Sequence, residues 1–181
     1  MLEKKILRDA LLKKREDIPS AKRLSKSKKI FRELFGDRLF QKAEHVALYS
    51  GTADEVLTRP FLRTLLKNKK IYLPKVELGD RKMTFCRIQS CSGDLVKGAY
   101  GIMEPRASCP RRSARRMDII IVPGVAFDRH GGRLGRGAGY YDRLLKKAGK
   151  VTKIGLCFRE QLIRKVPMTA RDVRMDRVIT D

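Results

Sequence analysis

Ile119-Ile120-Ile121-Val122-Pro123-Gly124 is the stretch that decides the fold. Four β-branched or apolar residues follow one another with no polar alternation, and Pro-Gly stops the run. A strand exposed to water on one side alternates apolar and polar residues. An unbroken apolar strand is buried on both faces, as in the middle of a parallel sheet. The flanking sequence supplies the other layers. His45-Val46-Ala47-Leu48-Tyr49 and Lys70-Ile71-Tyr72-Leu73-Pro74 read as further buried strands, and Lys153 to Phe158 as the last. Lys82 to Ile88 alternates like a half-buried edge strand. Helices are expected over Thr58–Lys67 and over Tyr140–Ala148, the latter with Tyr141, Leu144, Leu145 and Ala148 on one side and Gly149 as its stop.

Two more helices precede the first strand. In one, Leu2, Ile6 and Ala10, with Leu7 and Leu11 beside them, recur at helical spacing. Asp17-Ile18-Pro19-Ser20 breaks the run, and Ser20 is the expected N-cap of a second helix carrying Leu24, Ile30, Phe31, Leu34, Phe35 and Leu39. Alternating strands and helices predict an α/β protein: a three-layer sandwich with a mainly parallel sheet and helices on both faces. Its 181 residues suit one domain, 1–181. Arg106 to Arg116 (RASCPRRSARR) reads as an exposed loop.

Charge narrows the partners without choosing one. Lys and Arg number 43 against 20 Asp and Glu, a formal net charge of +23, so anions of every kind are attracted. A nucleic-acid-binding module would interleave aromatic base-stacking residues with the basic ones; aromatics are only 7% of this chain and Trp is absent, so nucleic acid is not the expected partner. The longest apolar stretch, Ile119 to Phe127, falls far short of the ~20 residues that span a bilayer, and no membrane partner is expected. Four cysteines without a C-x-x-C pair and two histidines, His45 and His130, give no zinc site; His130 reads as an exposed loop residue. With no export signal, a cytoplasmic protein with reduced thiols is expected.

In open α/β sheets ligands sit beyond the carboxyl ends of strands. Here the central strand leads into PGVAFDRHGGRLGRGAGYYDRLL, which holds six of the 14 glycines: Gly124, Gly131, Gly132, Gly135, Gly137 and Gly139. Arg133 and Arg136 are interleaved with the last three, and a helix follows at once. Glycines let backbone N–H groups approach an anion, a helix N-terminus offers unpaired donors, and arginine grips phosphate oxygens with a planar fork. The spacing is neither the dinucleotide G-x-G-x-x-G nor the P-loop pattern. A plain turn would also accommodate it. Asp142 in the first helical turn is either a dipole-favourable acid or a magnesium ligand.

The run Pro123 to Asp142 closely resembles the signature of the 5-formyltetrahydrofolate cyclo-ligases, also called methenyltetrahydrofolate synthetases. Lys4-x-x-x-Arg8, Glu55-Val56-Leu57-Thr58, Gly101-Ile102-Met103-Glu104-Pro105 and Asp172-Val173-Arg174-Met175-Asp176 resemble shorter family elements in the same order. Arg171 stands where many relatives carry His. The resemblance implies an architecture of the CoA-transferase and sugar-phosphate-isomerase kind. It also implies the reaction of ATP with 5-formyltetrahydrofolate to give 5,10-methenyltetrahydrofolate, ADP and phosphate, with Mg2+, in a protein expected to be monomeric. Carried onto this chain, it assigns ATP binding to Lys4, Lys5, Ile6, Leu7 and Arg8 and to Arg133, Leu134, Gly135, Arg136, Gly137, Ala138, Gly139, Tyr140 and Tyr141. Folate binding falls to Ser50, Glu55, Arg136, Gly137, Ala138, Gly139 and Tyr140. Arg136 is the expected catalytic residue, and Asp142 and Asp176 the expected magnesium pair. For the pterin that the resemblance implies, Glu55 suits the paired N–H edge; without the resemblance it reads equally as a helix-start acid ahead of Thr58. A sugar-phosphate isomerase or transferase on the same fold stays open, distinguished by activity without ATP.

Overall fold

The computed structural model describes residues 2–77, 82–98 and 101–181. Its strands are β1 (His45–Ala47), β2 (Lys70–Glu77), β3 (Lys82–Ile88), β4 (Leu95–Lys97), β5 (Met103–Pro105), β6 (Arg111–Arg112), β7 (Ile119–Val122), β8 (Ala126–Phe127), β9 (Arg133–Leu134), β10 (Thr152–Cys157) and β11 (Arg177–Thr180). Its helices are α1 (Leu2–Glu16), α2 (Ser20–Gly36), α3 (Arg38–Lys42), α4 (Leu62–Asn68) and α5 (Tyr140–Ala148). A seven-stranded sheet runs in the order β11-β10-β7-β1-β2-β3-β6. The first five strands are parallel; β3 and β6 turn antiparallel at the edge.

The apolar run of β7 is buried on both faces, as its composition demands. Ile119 and Ile121 join Val46, Leu48, Ile71, Leu73, Ile154 and Leu156 under Ile30, Phe31 and Leu34 of α2 and Leu62 and Leu65 of α4. Ile120 and Val122 point the other way, toward Leu144, Leu145 and Ala148 of α5. Each such side chain contributes about 1.5–3 kcal/mol by leaving water. The α/β sandwich is therefore in place, with one helix layer on each face of a mainly parallel sheet.

A third, smaller core sets α1 against the β8–β9 hairpin through Leu11, Val125, Ala126, Leu134 and Val166, with Leu7 packed beside it. This corrects the expected stripe. Leu7, Leu11 and Arg15, four apart, face inward, whereas Leu2 and Ile6 are 71% and 62% exposed. Ser20 is likewise the first residue of α2, not its cap; Pro19 holds the N-cap position with no side-chain hydrogen bond. The better cap is Asp37, whose Oδ1 accepts from Leu39 and Phe40 N–H and starts α3. Arg106 to Arg116 is not wholly a loop: Arg111 and Arg112 pair with Cys86 and Phe85 of β3. Two-residue strands carry no periodicity, which also hid β8 and β9.

Among the described residues, no helix is long and apolar enough to cross a membrane. The four cysteines are unpaired.

Candidate active site

Beyond the carboxyl ends of β1 and β7 lies a cavity of about 460 Å3. One wall is polar: Ser50, Thr52, Glu55, the Gly135–Gly139 loop and Asp142. The other is largely apolar, from Pro74, Val76, Met83 and Ile102, with Glu104 among them. Burial raises the Glu104 carboxyl above the ordinary glutamate value, partly countered by Lys75.

The glycine loop owes its path to backbone freedom. Gly137 and Gly139 adopt φ of 106° and 70°, values that side chains disfavour. Gly139 occupies the N-cap of α5 without a side chain to satisfy the first N–H groups, so the helix start presents donors toward the cavity. From α1, the Arg8 Nε–H donates to the Gly135 carbonyl at 2.8 Å and braces the loop. Arg133, nearly buried, donates to Asp142 Oδ1 at 2.8 Å and to the Pro123 carbonyl at 3.2 Å, tying the loop to the helix start. Tyr140 lines the cavity with the Arg143 guanidinium 5.3 Å over its ring. The hydroxyl of Tyr141 is buried and unpartnered; burial, then the charge of Glu55, pushes its pKa upward.

Across the cavity, the loop after β1 is fastened by Thr58, whose hydroxyl donates to the Tyr49 carbonyl at 2.8 Å. Glu55 is nearly buried and accepts from Thr52 N–H at 3.1 Å. Arg136, half exposed, reaches over from the glycine loop: its Nη2 stands 3.0 Å from Thr52 Oγ1, 3.3 Å from Glu55 Oε1 and 3.6 Å from Asp54 Oδ1. On the inner side Arg15, fully buried, donates to Asp54 and stands 3.6 Å from Glu55 Oε1. Burial alone would raise Asp54, but the Thr52 hydroxyl and Arg15 outweigh it and hold the carboxyl below the ordinary aspartate value.

The chain thus gathers Ser50, Glu55, Arg133, Gly135 to Tyr141 and Asp142 around one cavity, with Leu134 buried beneath. Of the residues Lys4 to Arg8, Arg8 is the one that reaches the glycine loop. Lys4, on the same face of α1, is bound to Asp172 at 2.5 Å. Lys5 and Ile6 are exposed, and Leu7 packs on the hairpin core. Asp176 is not brought to Asp142. It precedes β11 and accepts from Lys153 N–H at 2.7 Å, at the strand-start edge of the sheet. The five-residue D-x-x-x-D spacing could not foretell that Asp172 is held by Lys4 of α1 and Asp176 by the start of β10. Arg15 and Glu104 escaped the sequence reading as site residues. Arg15 looked like one more cation on a basic helix, although its i+4 step from Leu11 placed it on the inward face.

The sequence profile of the 5-formyltetrahydrofolate cyclo-ligase family matches residues 1–181. The chain belongs to that family. A 5-formyltetrahydrofolate cyclo-ligase from Mycolicibacterium smegmatis is 32% identical, over 96% of this chain and 91% of that one. The mouse 5-formyltetrahydrofolate cyclo-ligase is 27% identical, over 97% and 92%. Among solved structures, the NMR structure of Aquifex aeolicus 5,10-methenyltetrahydrofolate synthetase superposes with a TM-score of 0.89 at 40% identity, covering 99% of this chain and 90% of that one. A Mycoplasma pneumoniae 5,10-methenyltetrahydrofolate synthetase shares the fold, with a TM-score of 0.77 at 24% identity and 97% of each chain covered. The glycine loop and the Glu55 loop of this cyclo-ligase family member therefore belong to an enzyme scaffold.

Proposed function

We propose that the cavity converts 5-formyltetrahydrofolate to 5,10-methenyltetrahydrofolate at the expense of ATP, releasing ADP and phosphate. The observation that carries this reading is that a glycine-rich loop and helix start, Gly135 to Tyr140, and a nearly buried carboxylate, Glu55, line one cavity whose other wall is largely apolar. A flat pterin with a paired N–H edge fits the second, and a triphosphate fits the first.

The chemistry asks little of the protein beyond placement. A formyl oxygen is a poor leaving group until it attacks the terminal phosphoryl and ADP departs. N10 of the same folate then adds to the formyl carbon, loses its proton, and expels phosphate as the ring closes. That second step is intramolecular, so holding the folate folded supplies on the order of 7–11 kcal/mol through proximity. Phosphoryl transfer requires positive charge and donors aimed at the phosphoryl oxygens. Arg136 supplies the mobile charge, and the N–H groups at the start of α5 supply the fixed donors. Because Arg136 rests on Glu55, the pterin edge replaces it there and releases the guanidinium toward the phosphate. Arg8 and Arg133 brace the cradle; Lys4 is the reserve cation of α1 once Asp172 lets go.

Mg2+ fits this donor set through Asp142 alone. Its Oδ1 is taken by Arg133, and a hard cation beside triphosphate needs only one or two carboxylates, the remaining oxygens coming from phosphate and water. Bound there it would neutralise phosphate charge. Asp176, committed to the Lys153 backbone, does not fit the same ion. The deciding experiment mixes protein, 5-formyltetrahydrofolate and Mg-ATP and follows the near-ultraviolet absorbance of the methenyl product. Growth that depends on ATP supports the reading; growth without ATP, or none at all, rejects it.

A further inference from the structure

At the opposite end of the β2–β3 ribbon lies a second cavity of about 390 Å3, which shares no residue with the first. Strand register builds its floor. Tyr72 stands opposite Arg87, and Phe85 opposite Arg112. With side chains alternating along a strand, Tyr72, Phe85, Arg87 and Arg112 all face one side. Tyr72 and Phe85 sink into the core beneath α5, leaving two guanidinium groups above an aromatic floor. Arg112 lies 5.7 Å over the Tyr72 ring.

The wall opposite is fixed by backbone bonds. Arg87 N–H donates to the Pro110 carbonyl at 2.8 Å, and the Cys109 thiol to the Asp94 carbonyl at 3.6 Å.

Its charges are unbalanced. Arg111 is paired with Glu77 at 2.5 Å. Asp94 is the acid in the lining, and its Oδ2 is already engaged by the N–H groups of Gln89 and Ser90 at 2.6 and 2.9 Å. Neither Arg87 nor Arg112 forms a close ion pair with a carboxylate among the described residues, although the charge of Arg112 is felt by Asp118, and Arg87 Nε is buried with no acceptor. Arg112 rests on neutral groups: the Arg116 carbonyl at 3.2 Å and His45 Nε2 at 3.4 Å. Burial first, and the charge of Arg112 second, keep the His45 pKa below its ordinary value, so the ring adds no competing cation.

We infer that this cavity is an anion site for the phosphate group of a small phosphorylated molecule, gripped between Arg87 and Arg112. Two planar forks match the oxygens of a phosphate monoester. The cavity's volume is that of a small-molecule site. The inference is independent of the folate reaction.

The test is an NMR titration of the 15N-labelled protein with inorganic phosphate and, separately, with ribose 5-phosphate, at constant ionic strength. Saturable shifts of the Arg87, Cys109, Arg111 and Arg112 amides are expected. They should weaken about tenfold or more in the Arg87→Gln/Arg112→Gln double variant. The amides of Gly135 to Gly139 should respond equally in both proteins, which separates this site from the nucleotide cradle. Tighter binding of ribose 5-phosphate than of phosphate identifies an ester as the ligand; the reverse order identifies free phosphate. Should the double variant lose its dispersed spectrum, the single Arg112→Gln, on a two-residue edge strand, carries the comparison. Shifts that rise linearly without saturation, or that survive the substitutions, overturn the site. So does an affinity for single-stranded oligonucleotides that exceeds ribose 5-phosphate and grows with length.

Discussion

Arg15 and Glu55 are joined from inside the protein: the guanidinium is fully buried, donates to Asp54 and stands 3.6 Å from the Glu55 carboxylate. Glu55 thus has a counter-charge on its inner side in addition to Arg136 on its solvent side. Arg15→Met removes that inner charge and strands two carboxylates that are largely out of water. Breaking such a pair costs about 3–5 kcal/mol, which at this chain length lowers the melting temperature by roughly 6–20 °C. Arg15→Lys restores charge but not the fork, so it should recover much of the stability while the KM for 5-formyltetrahydrofolate stays high. Calorimetry with steady-state kinetics on both variants checks the pair. A stable Arg15→Met with an unchanged KM would remove Arg15 from the site.

Arg136 faces the opposite prediction. It is half exposed, and its bonds to Thr52 and Glu55 are those of a side chain at a rim. Arg136→Ala should shift stability by less than about 1 kcal/mol yet reduce turnover by two orders of magnitude or more, the scale seen when a donor to developing charge is deleted.

If the pterin displaces Arg136 from Glu55, folate and nucleotide bind cooperatively. Titration calorimetry should show a non-hydrolysable ATP analogue binding more tightly to the folate-loaded protein, by at least fivefold on the usual scale of such coupling. Glu55→Gln should abolish the difference. Equal affinities with and without folate would mean that Arg136 is not exchanged.

Much of this was legible in the chain. The unbroken run Ile119–Val122 announced a strand buried on both faces, and the glycine-arginine segment after it announced a glycine loop beside a cavity, because both signals are local and repeat within a few residues. The strand pairings at the edge were not. β6 is two arginines paired along the sheet with β3, and nothing in Arg111-Arg112 distinguishes it from a loop. Asp172 to Asp176 is opaque for a related reason: the segment ties Lys4 of α1 through Asp172 and Lys153 of β10 through Asp176, so its two carboxylates serve different elements. Distances along a sequence say nothing about which edge of a sheet an intervening segment reaches.

That separation gives the magnesium assignment a direct test. Asp142→Asn should raise the Mg2+ concentration needed for half-maximal activity. Asp176→Asn should leave it unchanged and act instead on β10–β11 packing, read as a lower melting temperature. A magnesium requirement altered by Asp176→Asn and not by Asp142→Asn would reverse the assignment.

Asp128 provides a prediction on pH. Burial alone would raise its pKa, but the N–H groups of Val166, Gly132 and His130, each at 2.8 Å, outweigh burial and hold it below the ordinary aspartate value of 3.8. A depressed native pKa means that the unfolded chain binds the proton more readily. The stabilisation is therefore complete above the unfolded value, and it disappears as pH falls through the lower, native one. Asp128→Asn forfeits the charged acceptor that fastens the hairpin turn to the segment before β11, so it should be less stable than the parent at pH 7. Denaturant unfolding from pH 7 down to pH 2 should show the gap between the two proteins constant until about pH 4–5 and closing below it. A gap that persists undiminished at pH 2 would mean that the carboxylate's charge is not what the three N–H groups stabilise.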